Sequence, residues 1–314
     1  MKEPAHKTAL DLIRLCDYNG ASRVVDAELD GCGEKGSSSD LWHLRFLRTD
    51  LIRLRGHTDE ALAYLAAKET EFPLEGSDTP SLIGLKRTRG YCLGMLGKYG
   101  PSDGLLKEAE YLARDAGLLE LLCEVWHCQA WFLYVRNEFE TSDRLFREIL
   151  RASEEIGGWY FRAIGLWGIG KNIMMRGHAN NDALLLTEAL GWFEQSHDLF
   201  AAAGRRMFAY GDMAVCYLDL GDDQKSLDLL EQLLPVYAEA GWVHTYQVTI
   251  ANIGNVYRIR GDYLRAIDYY SNAIEYAREI KDPVSVWKWT YNLKLSYKLL
   301  RESVERLRSI PASM

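Results

Sequence analysis

The stretch Ile253-Gly254-Asn255-Val256-Tyr257-Arg258-Ile259-Arg260-Gly261-Asp262-Tyr263-Leu264-Arg265-Ala266-Ile267-Asp268-Tyr269-Tyr270 decides the fold. Apolar residues recur at helical spacing on both sides of Gly261-Asp262. Gly261 therefore reads as a turn between two amphipathic helices, a first helix A and a second helix B.

The same turn site recurs upstream at Gly221, Gly177, Asn137, Gly97, Gly56 and Cys16, in steps of 40, 44, 40, 40, 41 and 40 residues. Gly and Asn are the residues that tolerate the left-handed backbone at a helix end. Independent markers keep the step. Tyr217, Tyr257 and Tyr297 are 40 apart, and so are Gly90, Ala130 and Gly170. These small residues fall on helix A, where a neighbouring helix must approach closely. Gly117, Gly157-Gly158, Gly204, Gly241 and Asp282-Pro283 punctuate the loops between units. No alternating segment suggests a strand. The expected fold is all-α, with helices of ~16 residues, about 24 Å long. One helix pair cannot bury its apolar face alone, so neighbours stack into a solenoid. The expected organisation is a single α-α superhelix over residues 1–314, with turns near 16, 56, 97, 137, 177, 221 and 261. It has seven helix pairs and a capping helix at about 287–308.

Two segments break the rhythm. Residues 30–40, rich in Gly and Ser, read as a flexible loop. The fifth unit has 12 residues from Gly177 to its helix-B small residue Ala189, against 5 from Gly261 to Ala266. Seven extra residues are about two helical turns. The expectation is a turn and cap at 178–182, then an N-terminally extended helix B whose Ala183–Leu186 turn protrudes.

Gly254, Tyr257, Gly261-Asp262-Tyr263, Ala266, Tyr270 and Ala273 form a pattern that resembles the tetratricopeptide (TPR) family. Upstream, Ser226 and Leu230, then Ser142 and Phe146, take the places of Ala266 and Tyr270. The period exceeds the ~34 residues of the commonest TPR. It is similar to the longer TPRs of kinesin light chains and of bacterial signalling and regulatory proteins. The resemblance implies that helix A lines a concave face. Carrying that phase over places Phe46, Asp50, Arg87, Tyr91, His127, Trp131, Tyr134, Trp167, Lys171, Met174, Phe208 and Asp212 in the groove. Asn252, Asn255, Arg258, Lys288, Tyr291 and Asn292 continue it. The middle is aromatic, and the C-terminal end offers amides and cations. Asn side chains can bond both N–H and C=O of an extended peptide, and Trp, Tyr and Arg are typical hot-spot anchors. Trp131 and Trp167 fit the core equally well, and both readings stay open.

Composition excludes several classes. Net charge is −8, from 45 acids against 37 bases, which opposes nucleic-acid binding. No apolar run reaches ~18 residues, so no membrane span is expected, and MKEPAHKTALDLIRLC has no apolar signal core. Six cysteines without a C-x-x-C pair fit free thiols in a reducing cytosol.

Gly165-Leu166-Trp167-Gly168-Ile169-Gly170-Lys171-Asn172 has the G-x-x-x-x-G-K spacing, but Asn172 stands where a P-loop needs Ser or Thr. Cys123, His127 and Cys128 lack a second cluster to complete a zinc site. No cofactor, metal or catalytic role is expected. The expected function is a scaffold that binds a peptide or protein segment in its groove. The alternative implied by the resemblance is a regulatory sensor that controls a caspase-like protease or a transcriptional regulator, in trans or on a longer chain.

Overall fold

The computed structural model describes residues 4–31, 39–72, 78–205, 207–240 and 242–308. Among them are fifteen α-helices and no strand. They form two compact units, residues 1–209 and 210–314. The first unit holds five antiparallel pairs: α1 (Ala5–Arg14) with α2 (Tyr18–Gly31), α3 (Ser39–Leu54) with α4 (Thr58–Glu69), α5 (Thr79–Met95) with α6 (Tyr99–Asp115), α7 (Leu119–Val135) with α8 (Phe139–Ile156), and α9 (Tyr160–Asn180) with α10 (Ala183–Ala202). The second holds α11 (Tyr210–Asp219), α12 (Asp223–Glu239), α13 (Val243–Ile259), α14 (Tyr263–Glu279) and α15 (Pro283–Arg308). Within the first unit the odd-numbered helices pack side by side, α1 on α3, α3 on α5, α5 on α7 and α7 on α9.

The turns form as the repeat requires. Cys16, Gly56, Gly97, Asn137, Gly221 and Gly261 all take positive φ, from 59° to 95°. At Gly97 the amide bonds Gly94 O at 2.9 Å, and the next amide, of Lys98, reaches back to Leu93 O at 2.9 Å. This pair of bonds satisfies carbonyls that the helix end leaves open. The Asp of each Gly-Asp turn then caps the following helix. Asp222 accepts from Lys225 N at 3.0 Å, and Asp262 from Arg265 N at 3.2 Å. Such caps contribute about 0.5–2 kcal/mol each.

Packing explains the small residues of helix A. A Cβ on Gly90 would lie 3.1 Å from Leu106, on Gly170 2.8 Å from Phe193, and on Gly254 3.0 Å from Tyr270. Each partner sits four residues after the small residue of helix B, so the register is common to both units. Serine substitutes for alanine there at little cost in two pairs. Ser102 Oγ donates to Gly90 O at 2.7 Å and Ser142 Oγ to Ala130 O at 2.9 Å, so neither buried hydroxyl is unsatisfied.

The fifth turn differs from expectation. Gly177 is helical and buried, and the left-handed residue is Asn181, φ 51°. Helix A has gained four residues, and helix B the other three. Asp182 caps α10 as expected, accepting from Leu184 N and Leu185 N. Of the apolar turn Ala183 and Leu184 are exposed, Leu184 at 83 %, whereas Leu185 is half-buried and Leu186 is buried against Gly177. Two boundaries also move. α15 starts at Pro283 rather than Trp287, since proline suits the first helical turn and Asp282 accepts from Ser285 N at 3.0 Å. Asp30, Gly31, Ser39 and Asp40 are helical, while residues 32–38 of the expected loop, Cys32 included, and Gly241 lie outside the described residues.

Candidate functional site

The odd-numbered helices of the first unit, with Tyr18 of α2, Phe200 of α10 and the turn after α10, wall a cavity of about 350 Å³. Its floor is charged. Asp50 on α3 lies 3.4 Å from both Arg53 and Arg87, and Arg87 on α5 lies 3.3 Å from Glu124 on α7. Burial opposes the charge of Arg87, but Asp50 and Glu124 outweigh it and hold the guanidinium protonated. Arg53 also stacks over the Tyr91 ring at 4.3 Å. Burial pushes the Tyr91 hydroxyl and the Cys92 and Cys128 thiols up to about 12. His127 is pushed down to about 4, first by burial and then by Arg53 and Arg87, so it is neutral at pH 7.

Another part of the lining is aromatic. Trp131 on α7 and Trp167 on α9 stack with centroids 6.1 Å apart, and Tyr134 stacks on Trp131 at 5.4 Å. The Lys171 ammonium sits 5.0 Å from the Tyr134 centroid, 5.6 Å from Trp167 and 6.0 Å from Trp131. Each contact of this kind contributes about 0.5–2 kcal/mol. Both indoles are half-buried and line the cavity, beyond the fully buried core. Phe208 also lines it, but from the turn before α11 rather than from a helix A. Its ring stacks on Phe200 and lies 5.9 Å from Trp167. Phe46 and Met174, expected in the groove, are core instead. Gly84 removes the Cβ that would stand 2.6 Å from the Phe46 ring and lets that ring turn inward.

The first hairpin also lines the cavity. Arg14, at the end of α1, places its guanidinium 4.9 Å from the Tyr160 centroid on α9 and 3.7 Å from Glu120 on α7. Cys16 in the same turn meets Arg205 from the turn after α10. None of Arg14, Arg53, Glu124, Tyr160 or Arg205 emerges from the repeat pattern. Glu124 could have been found, lying one helical turn before His127 on the same face. Arg14 and Arg205 meet the site only through contacts distant in sequence.

The remaining expected residues lie in the second unit, where Asn252, Asn255, Arg258 and Asn292 join Tyr270 in a hydrogen-bonded cluster. The buried Tyr270 hydroxyl donates to Asn255 Oδ1 at 2.6 Å, and Arg258 Nε reaches that hydroxyl at 3.4 Å. Asn255 Nδ2 donates to Asn252 Oδ1, and Asn292 Nδ2 to Asn255 Oδ1, both at 3.4 Å. Tyr291 is exposed and stacks on Trp287, and Lys288 covers Trp289 at 4.7 Å. Asn255 is thus partly committed to the fold. Asn255→Ala should cost about 1–3 kcal/mol by orphaning the Tyr270 hydroxyl. In the Tyr270→Phe background, urea melts should show most of that cost gone; full retention would contradict this pairing.

The P-loop-like stretch is mid-helix in α9, where its N–H groups are spent on helical bonds. Its glycines are packing sites. Gly165 abuts the Leu150 backbone, Gly168 the Phe146 ring and Gly170 the Phe193 ring, while Asn172 Nδ2 donates to Ser142 Oγ at 3.0 Å. Cys123 is buried on α7, and burial pushes its thiol up to about 12, far from a metal-binding thiolate.

No protein-family model matches the chain, and no curated protein is similar to it in sequence. Solved structures are similar in fold. A Rap protein complexed with Competence and Sporulation Factor aligns at 16 % identity and TM-score 0.63, covering 95 % of this chain and 85 % of that one. A chain of an APC/C hetero-tetramer aligns at 15 % and 0.57, covering 89 % of this chain and 46 % of the other. A signal transduction ATPase with a tetratricopeptide repeat sensor, from Pyrococcus horikoshii, aligns at 14 % and 0.51, covering 99 % and 47 %. Helix pairs, left-handed Gly or Asn turns, small-to-large packing and these alignments agree: the chain has the all-α, long-repeat fold of the tetratricopeptide-repeat proteins.

Proposed function

We propose that the protein is a regulatory interaction module that receives a peptide or protein segment in the cavity of its first unit and carries out no chemistry itself. The observation that carries this reading is the stacked pair Trp131 and Trp167 lining one cavity together with the largely buried Arg53–Asp50–Arg87–Glu124 chain of ion pairs. Stacked aromatics beside arginines are what binding hot spots are made of. Few convergent polar groups in an otherwise apolar hollow mark a ligand site. The first hairpin contributes Arg14 and Cys16 to the same walls, so an occupant would bear on its position. That coupling favours a sensor over a passive scaffold. The Rap protein of similar fold holds Competence and Sporulation Factor, and the archaeal ATPase uses its repeats as a sensor. Both support the reading by fold analogy.

Trp131→Ala separates binding from packing. A ligand captured from native lysate and identified by mass spectrometry would be titrated against wild type and variant. Affinity should fall about thirtyfold, the ~2 kcal/mol of a hot-spot truncation, with the melting curve nearly unmoved. Unchanged affinity with early melting would make the indole a packing residue and sink the reading.

A further inference from the structure

Guanidinium N–H groups outnumber the acceptors that the cavity offers them. Among the described residues Arg14, Arg53, Arg87 and Arg205 line it, against the carboxylates Asp50 and Glu124. Each guanidinium presents five N–H donors and no acceptor. The inner ion pairs are long, 3.3 to 3.4 Å, where charge-assisted pairs close to about 2.7–2.9 Å. The chain makes tight pairs elsewhere in the same unit, Arg45–Glu71 at 2.6 Å and Arg136–Asp103 at 2.8 Å. Arg14 Nε and Nη2 are buried without a hydrogen-bond acceptor, and Arg87 Nε, 3.3 Å from Glu124 Oε2, is not aligned for a hydrogen bond with it. The carboxylates nearest Arg14, Glu120 at 3.7 Å and Asp11 at 3.8 Å, are well exposed and shared with water. A buried donor left without an acceptor is costly, and the two on Arg14, with the unaligned Arg87 Nε of the same cavity, share a single remedy, an anionic oxygen from outside the chain.

A cationic ligand finds its usual receptors in use. Asp50 and Glu124 are both in ion pairs, and the aromatic wall already holds the Lys171 ammonium. A neutral apolar ligand would cover the indoles and leave the N–H groups unanswered. The volume, about 350 Å³, is near the lower end of the ~300–1,000 Å³ of small-ligand sites.

We propose that the cavity takes a small carboxylate ligand, its anionic oxygens received by the N–H groups of Arg14 and Arg87 and its apolar part laid against Trp131 and Trp167. The proposal rests on the cavity being a ligand site and deepens that reading by naming the ligand's chemistry. The free C-terminus of a short peptide, an acidic side chain and an aromatic organic acid all supply that carboxylate. Arg14 ends α1 and Arg87 lies on α5, so the carboxylate would tie the first hairpin to the helix stack.

The test is affinity selection on the full chain, read by mass spectrometry, with four probe pools. The first holds tripeptides without Asp or Glu and with free C-terminal carboxylates. The second holds the same tripeptides as C-terminal amides. The third holds tripeptide amides with one Glu. The fourth holds aromatic acids such as phenylacetate and indole-3-acetate. At least one carboxylate pool should be retained tenfold or more over the amides, and the pool retained identifies the source. Retention should fall at least tenfold in Arg14→Gln and in Arg87→Lys, and hydrogen exchange in residues 5–14 should slow on binding. Arg14→Gln, at the edge of the first hairpin, keeps the test decisive should Arg87→Lys fail to fold. Equal retention of the amides overturns the carboxylate inference and leaves peptide binding standing. Retention of the aromatic acids alone supports the carboxylate and overturns the peptide reading. No retention of any pool overturns both. Acids retained undiminished by both substitutions overturn the roles of Arg14 and Arg87.

Discussion

Phe146→Ala is expected to destabilise the first unit by about 3–5 kcal/mol, the cost of removing a fully buried aromatic ring from a core that cannot collapse around the void. Phe146 on α8 is 1 % exposed. Its ring fills the place where a Cβ on Gly168 of α9 would fall, and it meets the edges of His127 and Trp167. It therefore pins helix B of one pair to helix A of the next and backs the aromatic wall at once. Gly168→Ala should cost about 1–3 kcal/mol by overpacking the same spot. Because both substitutions act on one volume, the double variant should be less destabilised than their sum. Urea denaturation followed by tryptophan fluorescence measures all three. Strict additivity would show that the two residues do not compete for space.

His127 should make stability fall in mild acid. Its pKa is held down at about 4 by burial and by Arg53 and Arg87, against 6.5 for the free side chain. Between those values the unfolded chain binds the proton and the folded chain does not, so stability rises with pH across that window. Above pH ~6.5 neither state is protonated and the contribution is flat. As pH falls the loss grows to about 2 kcal/mol at pH 5 and about 3 kcal/mol at pH 4, at ~1.4 kcal/mol per pH unit. Carboxylates titrate nearby, so the measured quantity is the difference between wild type and His127→Gln in urea melts at pH 7 and pH 5. Parallel losses in both proteins would mean that the imidazole is solvated in the folded state.

The fold was legible because its determinants are local. A left-handed residue every forty positions needs Gly or Asn, and a helix pair needs a small residue where it crosses, so Gly97, Asn137, Gly221 and Gly254 announce themselves. Gly177 misled because the residue type that ends a helix also serves a close crossing. Both roles require the missing Cβ, and only the contact with Leu186 distinguishes them. Groove residues were half legible for a similar reason. Helical phase located Arg87, His127, Trp131 and Trp167, but Phe46 follows the same phase and turns inward because Gly84 makes room. The repeat frame predicts equivalent positions and is silent on contacts between non-equivalent ones. Arg14 comes from the last turn of α1 and Arg205 from an irregular turn, so the period carries no trace of their meeting the cavity.

The seven residues added to the fifth pair set a rule for how such arrays lengthen. Four went to α9 and three to α10, close to one turn, ~3.6 residues, on each arm. Gly170 therefore still meets Phe193, as Gly254 meets Tyr270. An insertion of three or four residues would lengthen one arm alone and leave its last turn without a partner. One of five would rotate a whole arm out of phase. Length polymorphism at the A–B tips of this architecture should thus be quantised, with surviving variants differing by about seven residues. The loops on the opposite edge join separate pairs and are free of that constraint.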